Sequence, residues 1–300
     1  MREELFKNCT LCPRKCNVNR LEGKRGYCGM DSTIRAARAA LHMWEEPCIS
    51  GKKGSGAVFF SGCGLRCCFC QNRDIAIGDS GKEISVERLA EIFLELQEKG
   101  AANLNLVTGA HYVPHIISAL ELARGKGMNL PVVYNSSGYE NVETIRRLDG
   151  YVDVYLPDMK YMEPELAAAF SNARDYPQAA QSAIAEMMRQ TGSCQFAEDG
   201  YIKRGTIVRH LILPGHTKNS IAVLKYLYRT YGEDIFISVM NQYTPVWKNE
   251  KFPELNRKVT RREYEKVLDA ALELGIENGY FQEGETAEES FIPAFDYEGV

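Results

Sequence analysis

The sequence predicts an α/β fold, a partial (β/α)6 barrel of parallel strands with a small Cys-rich N-terminal segment. Two observations lead to this prediction. Short apolar runs alternate along the chain with amphipathic helical stretches, and the alternation begins only after about Lys52. Strands that alternate with helices imply parallel βαβ units. Six strands of this kind suit a partial barrel, and an open doubly wound sheet is the alternative.

The apolar runs place the strands, and the stretches between them place the helices. The predicted strands are residues 57–60, 103–108, 131–135, 152–156, 206–213 and 234–240, with a short extra strand at 279–282. The predicted helices are residues 85–99, 113–124, 142–148, 163–170, 177–190, 219–230 and 260–274. The first helix has the clearest boundaries, because Ser85 can cap its start and Gly100 can end it.

Length and composition limit the class of protein. A chain of 300 residues is long enough for one large α/β domain with a small addition. The Gly- and Lys-rich stretch 51–56 is the expected joint, which divides the chain into a Cys-rich segment, 1–50, and a barrel domain, 51–300. A net charge of −4 argues against nucleic acid as a partner.

The expected location is the cytoplasm, with no membrane partner. The sequence shows no signal peptide and no apolar run near the roughly 20 residues that span a bilayer. Thiols stay reduced in that compartment, so clustered cysteines there are more often metal ligands or catalytic groups than disulfides. This matters because eight of the ten cysteines fall in two groups.

The first group lies in the loop that follows the first predicted strand. Cys63, Cys67 and Cys70 are separated by three and two residues. Three cysteines can hold three irons of a [4Fe–4S] cluster and leave the fourth iron open for an exchangeable ligand. A structural zinc site normally has four protein ligands, so the spacing favours the cluster. Cys68 occupies a spacer position and is expected to be dispensable.

The second group precedes the joint. Cys9, Cys12, Cys16 and Cys28 supply four ligands, enough to close a metal site. A structural zinc ion could cross-link this segment, which is too small to form its own hydrophobic core. A second iron–sulfur cluster could instead relay electrons to the first. The spacing alone leaves both metals open.

The first group also carries a resemblance to a known family. The CxxxCxxC pattern with Phe69 before the last cysteine resembles the signature of radical S-adenosylmethionine (SAM) enzymes. Four longer stretches, residues 42–51, 59–72, 209–215 and 291–300, resemble proteins related to pyruvate formate-lyase activating enzyme, the PflX-like branch. The resemblance implies reductive cleavage of SAM at a [4Fe–4S] cluster, which gives a 5′-deoxyadenosyl radical that abstracts hydrogen. In the activating enzymes, the hydrogen comes from a glycine of a partner enzyme.

The resemblance also implies which residues contact SAM. They follow successive predicted strands, whose carboxyl ends carry the active site in such folds. The implied SAM-binding residues are Thr108, Gly109, Asn135, Ser137, Asp158, Lys160 and Arg209. Lys160 would pair with the SAM carboxylate, and Arg209 could clamp a carboxylate. Thr108 and His111 stand where the activating enzymes have a Gly-Gly-Glu motif, which this chain lacks.

The implied enzyme is a radical SAM oxidoreductase similar to the activase of formate C-acetyltransferase. Its partners would be SAM, a reductant such as flavodoxin or ferredoxin, and a glycyl radical enzyme as the protein substrate. A different class of function is the alternative: an iron–sulfur or zinc protein that transfers electrons without cleaving SAM. The eight clustered cysteines would suit that function as well.

Overall fold

The computed structural model describes residues 3–78, 80–282 and 293–300. Its strands are β1 (Ile34–His42), β2 (Ser55–Phe60), β3 (Lys82–Ile84), β4 (Leu104–Val107), β5 (Val132–Ser136), β6 (Val154–Pro157), β7 (Gln195–Phe196), β8 (Ile202–Leu211), β9 (Phe236–Met240) and β10 (Gly279–Phe281). Its α-helices are α1 (Glu4–Lys7), α2 (Pro47–Ser50), α3 (Arg73–Ala76), α4 (Val86–Glu98), α5 (Val113–Gly125), α6 (Val142–Arg146), α7 (Pro164–Ser171), α8 (Tyr176–Thr191), α9 (Thr217–Tyr231) and α10 (Arg261–Leu274). Each predicted strand and helix is therefore confirmed to within a few residues.

The strand order distinguishes the partial barrel from the doubly wound sheet. The order across the sheet is β10-β9-β8-β6-β5-β4-β2-β1-β3, and β7 pairs with β8 beside this path. From β2 to β10 the pairs are parallel and follow the chain without a reversal. A doubly wound sheet would reverse direction at a switch point. The continuous winding, with β10 and β3 as edges, is that of an unclosed barrel.

The parallel register brings the carboxyl ends of the strands to one edge. Phe59 of β2 is opposite Val107 of β4, which is opposite Asn135 of β5 and then Leu156 of β6. These four strands are buried along their length, as expected for parallel strands that are covered on both faces. The loops that follow them therefore converge, and they contain most of the predicted site residues.

Helix α4 confirms the predicted cap. The Ser85 side chain accepts a hydrogen bond from the backbone N–H of Arg88, at 3.1 Å. Leu89, Ile92, Phe93 and Leu96 lie on the buried face of the helix. The cap satisfies one of the backbone donors that have no partner inside the helix.

Replacing Ser85 with alanine should therefore destabilise the protein modestly. Loss of the cap costs about 1 kcal/mol, which corresponds to a fall of about 2–4 °C in the thermal midpoint for a domain of this size. Differential scanning calorimetry would measure it. Ser85→Asp keeps a capping oxygen and is the matched control. An equal loss in both variants would contradict the capping role.

The N-terminal part of the chain contributes to the same sheet. Strand β1 pairs antiparallel with β2 and with β3, so residues 34–42 extend the sheet beyond the parallel strands. The division at residue 50 stays a prediction. Residues 43–54 then lead from β1 to β2, and Cys48 packs among Val133, Val154 and Ile207.

The C-terminal end packs on β1. Ala39 donates its backbone N–H to the carbonyl of Glu298 at 2.8 Å, and Tyr297 donates to Ala37 at 3.1 Å. Phe291 and Ile292, which begin the last stretch that carries the family resemblance, lie outside the described residues. Among the described residues, no helix has the length and apolarity that crossing a membrane requires.

Candidate active site

The cysteine loop lies directly after β2 and is held by backbone and side-chain contacts. Cys70 donates its N–H to the carbonyl of Cys67 at 3.1 Å, and Cys68 donates to the carbonyl of Phe170 at 2.7 Å. The hydroxyl of Ser171 lies 3.1 Å from the sulfur of Cys67. Helix α7, which carries Phe170 and Ser171, thus fixes the loop from the side of the core.

The thiols of this loop are half-buried and close enough to influence one another. Burial raises the pKa of Cys67 to about 11, and a neighbouring Cys63 thiolate adds to the rise. Burial also raises the pKa of Cys70, again with contributions from Cys67 and Cys63. Such thiols ionise only when a cation replaces the proton. Three soft sulfur donors on one loop fit a [4Fe–4S] cluster with an open iron.

Among the described residues, no three or more His, Cys, Asp or Glu side chains converge as the ligands of one metal ion.

A cavity of about 680 Å³ opens beside the cysteine loop. Cys67 and Cys70 line it together with four of the predicted SAM-binding residues, Asn135, Asp158, Lys160 and Arg209. The rest of the wall mixes apolar side chains such as Phe59 and Met240 with polar ones such as Gln242. Its size lies within the range of about 300–1,000 Å³ that is usual for small-molecule sites.

Asp158, Lys160 and Arg209 form a buried ionic network at the wall of this cavity. Asp158 Oδ2 accepts from Lys160 Nζ at 2.5 Å, and Asp158 Oδ1 accepts from Arg209 Nε at 3.0 Å. Burial alone would raise the pKa of Asp158, but Lys160 and Arg209 outweigh it and hold that pKa below its ordinary value. Asp158 is therefore an anion that positions both cations.

All three ends of the Arg209 guanidinium have partners. Besides Asp158, Nη2 donates to Asn135 Oδ1 at 2.6 Å and Nη1 donates to Glu45 Oε2 at 3.1 Å. The sequence predicted that Arg209 binds a carboxylate. In the structure it binds two carboxylates of the protein itself, Asp158 and Glu45. Its position favours a role in holding Asp158 and Asn135 in place.

Glu45 and Glu46 line the cavity and were absent from the predicted site. Glu45 Oε1 accepts from the side-chain amides of Asn105 and Asn135, each at 3.1 Å, so it links β4, β5 and β8 through their inward side chains. Burial raises the pKa of Glu46, and its Oε2 has no hydrogen-bond partner among the described residues. The sequence contained a feature that could have identified these two residues. They are adjacent carboxylates in the stretch 42–51, which carries the family resemblance and is otherwise mostly apolar.

The other predicted SAM-binding residues lie near this cavity but not among its described lining residues. Ser137 accepts a backbone bond from Tyr139 at 3.4 Å, and its carbonyl accepts from the Tyr176 hydroxyl at 2.8 Å. Gly109 begins a short 3₁₀ turn after β4, 110–112. The backbone beside Ser137 is closely packed against the loop that follows β6. Gly138 shows how close that approach is, because a Cβ there would collide with the carbonyl of Asp158.

His111 is buried instead of being a solvated loop histidine. Its Nε2 lies 2.7 Å from the carbonyl of Ser61, immediately before the cysteine loop. Burial lowers the pKa of His111 to about 3, so the ring is neutral and Nε2–H donates. His111 therefore positions the loop.

Thr108 has an unusual backbone conformation at the end of β4. Its φ is +61°, in the left-handed region, while its N–H donates to the carbonyl of Asn135 at 2.9 Å. A β-branched residue is seldom found there, and strain of this kind clusters at functional sites.

This conformation makes a prediction about substitutions at Thr108. Thr108→Ala and Thr108→Gly both remove the hydroxyl and the methyl group, but only glycine adopts a positive φ without steric cost. We expect the glycine variant to be the more stable of the two by about 1 kcal/mol. Thermal midpoints of both variants would test this. The reverse order, which is usual at ordinary positions, would contradict it.

The N-terminal cysteines influence one another electrostatically, and Cys12 packs against the cysteine loop. Burial raises the pKa of Cys12 to about 12, with further contributions from Cys28 and Cys9. The sulfur of Cys12 is 3.4 Å from the position that a Cβ on Gly64 would occupy. Arg14 reinforces this contact, because its Nε donates to the carbonyl of Gly64 at 2.8 Å. The segment is therefore packed on the loop that carries Cys63.

A buried arginine accompanies these thiols. Arg20 is fully buried, and its Nη1 donates to the carbonyl of His111 at 2.7 Å and lies 3.9 Å from the sulfur of Cys9. A desolvated guanidinium needs negative partners. Thiolates of a metal centre would supply that charge, so the surroundings fit the predicted metal site without deciding its metal.

Sequence comparisons identify relatives of the chain. The uncharacterized protein MJ0674 of Methanocaldococcus jannaschii is 30% identical over 276 residues, 90% of this chain and 75% of that protein. The pyruvate formate-lyase-activating enzyme of Clostridium pasteurianum is 28% identical over 113 residues, 36% of this chain and 46% of the enzyme.

Matches among solved structures have lower sequence identity. Streptococcus suis SuiB bound to S-adenosylmethionine has a TM-score of 0.45 at 12% identity and matches 74% of this chain and 45% of that chain. Native anSMEcpe with bound AdoMet has a TM-score of 0.46 at 12% identity, over 71% of this chain and 57% of that chain. This chain thus spans about half the length of those structures.

The family is shown by the match to a sequence model. Residues 57–227, more than half of the chain, match the Radical SAM superfamily. This range begins in β2 and includes the cysteine loop, Asp158, Lys160 and Arg209. The protein therefore belongs to the radical SAM superfamily.

Proposed function

We propose that this radical SAM enzyme activates a partner enzyme by abstracting hydrogen from one of its glycines. The observation that carries the SAM site is the shared cavity, whose lining includes Cys67, Cys70, Asp158 and Lys160. When bound, the cluster and SAM supply the 5′-deoxyadenosyl radical, and the protein orients them and excludes water.

Each charged residue of the cavity has a proposed role. Lys160, a cation beside the cluster loop, would attract the SAM carboxylate. Asp158 would hold Lys160 in place through its 2.5 Å contact, and Arg209 would hold Asp158. The unpartnered Oε2 of Glu46 would accept a hydrogen bond from a bound substrate, because a buried acceptor without a partner is costly.

The glycyl radical target is supported by similarity. The Clostridium pasteurianum relative carries the name of a pyruvate formate-lyase-activating enzyme. A cavity whose wall mixes apolar side chains with hydrogen-bonding ones suits a peptide segment. The physiological setting proposed with this function is the cytoplasm, where the thiols and the cluster stay reduced.

The experiment separates SAM cleavage from the choice of target. The enzyme is reconstituted with iron and sulfide without oxygen, reduced with dithionite, and given SAM. We expect 5′-deoxyadenosine, measured by chromatography, and a change in the cluster EPR signal on SAM addition. An EPR signal that does not change when SAM is added, together with the absence of 5′-deoxyadenosine, would indicate an electron-transfer protein instead.

The target is then tested directly. Pyruvate formate-lyase and other glycyl radical enzymes are incubated with the reduced enzyme and SAM, and the EPR doublet of a glycyl radical is sought. Its appearance would support the activase function. Product formation from SAM without any doublet across these enzymes would favour another substrate class.

We also propose that Cys9, Cys12, Cys16 and Cys28 hold a second metal centre, either zinc or iron–sulfur. The support is the electrostatic coupling among the four thiols and the contact of Cys12 with the cluster loop. Metal and sulfide analysis of wild type and of a Cys9→Ala, Cys12→Ala double variant would identify it. Equal metal content in both proteins would reject the site.

A further inference from the structure

A second groove, of about 420 Å³, also opens beside the cysteine loop. Cys67, Cys68 and Cys70 line it together with α3 residues and the segment 247–251. Cys67 and Cys70 line the SAM cavity as well. These two predicted ligands therefore lie between the cavity and the second groove, which gives the cluster position a face separate from that of the substrate.

The charged residues of this groove are mostly basic. Four cations, Arg66, Arg73, Lys248 and Lys251, line it against one acidic residue, Glu250. Asp74 is exposed next to Arg73 and offsets one further charge. The chain as a whole carries −4, so the groove is a local positive region on an acidic protein. Charge of this kind steers a partner of opposite sign.

Trp247 gives the groove an aromatic centre that is tied to the cysteine loop. Its indole Nε1–H donates to the carbonyl of Cys68 at 3.1 Å. The guanidinium of Arg73 lies 5.2 Å from the centre of the Trp247 ring. Tryptophan and arginine are enriched in the cores of protein interfaces, where lysines form the rim. The arrangement therefore has the composition of a docking surface as well as its charge.

We propose that this groove is the docking surface of an acidic one-electron donor protein. The proposal rests on the proposed function, because a radical SAM enzyme needs one electron at its cluster. The donor loses one electron, the centre at Cys63, Cys67 and Cys70 gains it, and no bond or proton moves. Docking here brings the donor to the loop while the SAM cavity stays available to substrate.

The test compares two charge-reversed variants with the same net charge. Lys248→Glu with Lys251→Glu alters the groove, where both lysines are exposed. Lys225→Glu with Lys266→Glu alters a surface between α9 and α10, where both are also exposed. Flavodoxin is the probe. Its Kd for the reconstituted enzyme is measured by surface plasmon resonance over a salt series, and its rate of cluster reduction by stopped flow.

We expect the groove variant to bind flavodoxin about tenfold more weakly than wild type at low salt, since rim charges set association. The difference should shrink as salt screens the charges. The control variant should stay within about threefold of wild type, since its charges lie beyond the interface. Equal losses in both variants, or no loss in either, would overturn the docking site.

Dithionite separates this proposal from the proposed function. It needs no docking surface, so both variants should yield as much 5′-deoxyadenosine with dithionite as wild type does. If wild type itself yields none, the proposed SAM chemistry fails, while the Kd comparison still decides the docking site. If only the groove variant fails with dithionite, the substitution has damaged the cluster loop, and the docking site is rejected.

Discussion

Alanine at Cys63, Cys67 or Cys70 should abolish the iron–sulfur cluster, whereas Cys68→Ala should retain it. Each of the three supplies one thiolate, and an iron that loses its only protein ligand leaves a labile cluster. Cys68 occupies a spacer position in the motif. It lies in the second groove beside Trp247 and, unlike Cys67 and Cys70, it does not also line the SAM cavity.

Iron and sulfide content and the visible absorption of the reconstituted variants would measure this effect. We expect a loss of about four irons per chain in each of the three ligand variants, and no 5′-deoxyadenosine from SAM. Cys68→Ala is the matched control, because it removes a neighbouring thiol of the same loop. Loss of the cluster in Cys68→Ala with retention in Cys63→Ala would reassign the ligands.

Arg209→Met should be strongly destabilising. The substitution removes the cation that Asp158 and Glu45 share and leaves both carboxylates buried with fewer partners. Breaking a buried ion pair from one side costs about 3–5 kcal/mol. For a domain of this size, the thermal midpoint should fall by roughly 10 °C. Calorimetry of the reconstituted protein would measure it.

A surface ion pair provides the control for Arg209. Arg261 contacts Glu265 at 2.7 Å, but its side chain is 91% exposed. Arg261→Met should shift the midpoint by less than about 2 °C, because exposed pairs contribute little. Arg209→Lys keeps the positive charge but lacks the planar guanidinium group, so its thermal midpoint should lie between those of wild type and Arg209→Met. A midpoint for Arg209→Met near that of wild type would show that the network does not stabilise the fold.

The strands and helices were predictable because their signals are local. The six apolar runs became parallel strands of the barrel, and Ser85 capped α4 as its position indicated. Strand β1 had no such assignment, although residues 34–44 carry the periodicity of the N-terminal segment. Its strand form depends on pairing with β2 and β3.

The candidate site was predictable only in part. Asp158 and Lys160 are two residues apart in sequence and meet directly. Glu45 was missed because its partners, Asn105, Asn135 and Arg209, are 60 to 164 positions away. Their side chains meet only when β4, β5 and β8 are brought into one sheet.

The sequence by itself determined the fold class, the three-cysteine spacing and the family signature, because each depends on neighbours along the chain. Only the tertiary structure decided which of those cysteines face the cavity, what Arg209 binds, and where Cys68 lies. These depend on contacts between distant segments, and a contact of that kind leaves no period or spacing in the sequence. Spacing could set Cys68 apart from the ligands, but only packing placed it beside Trp247.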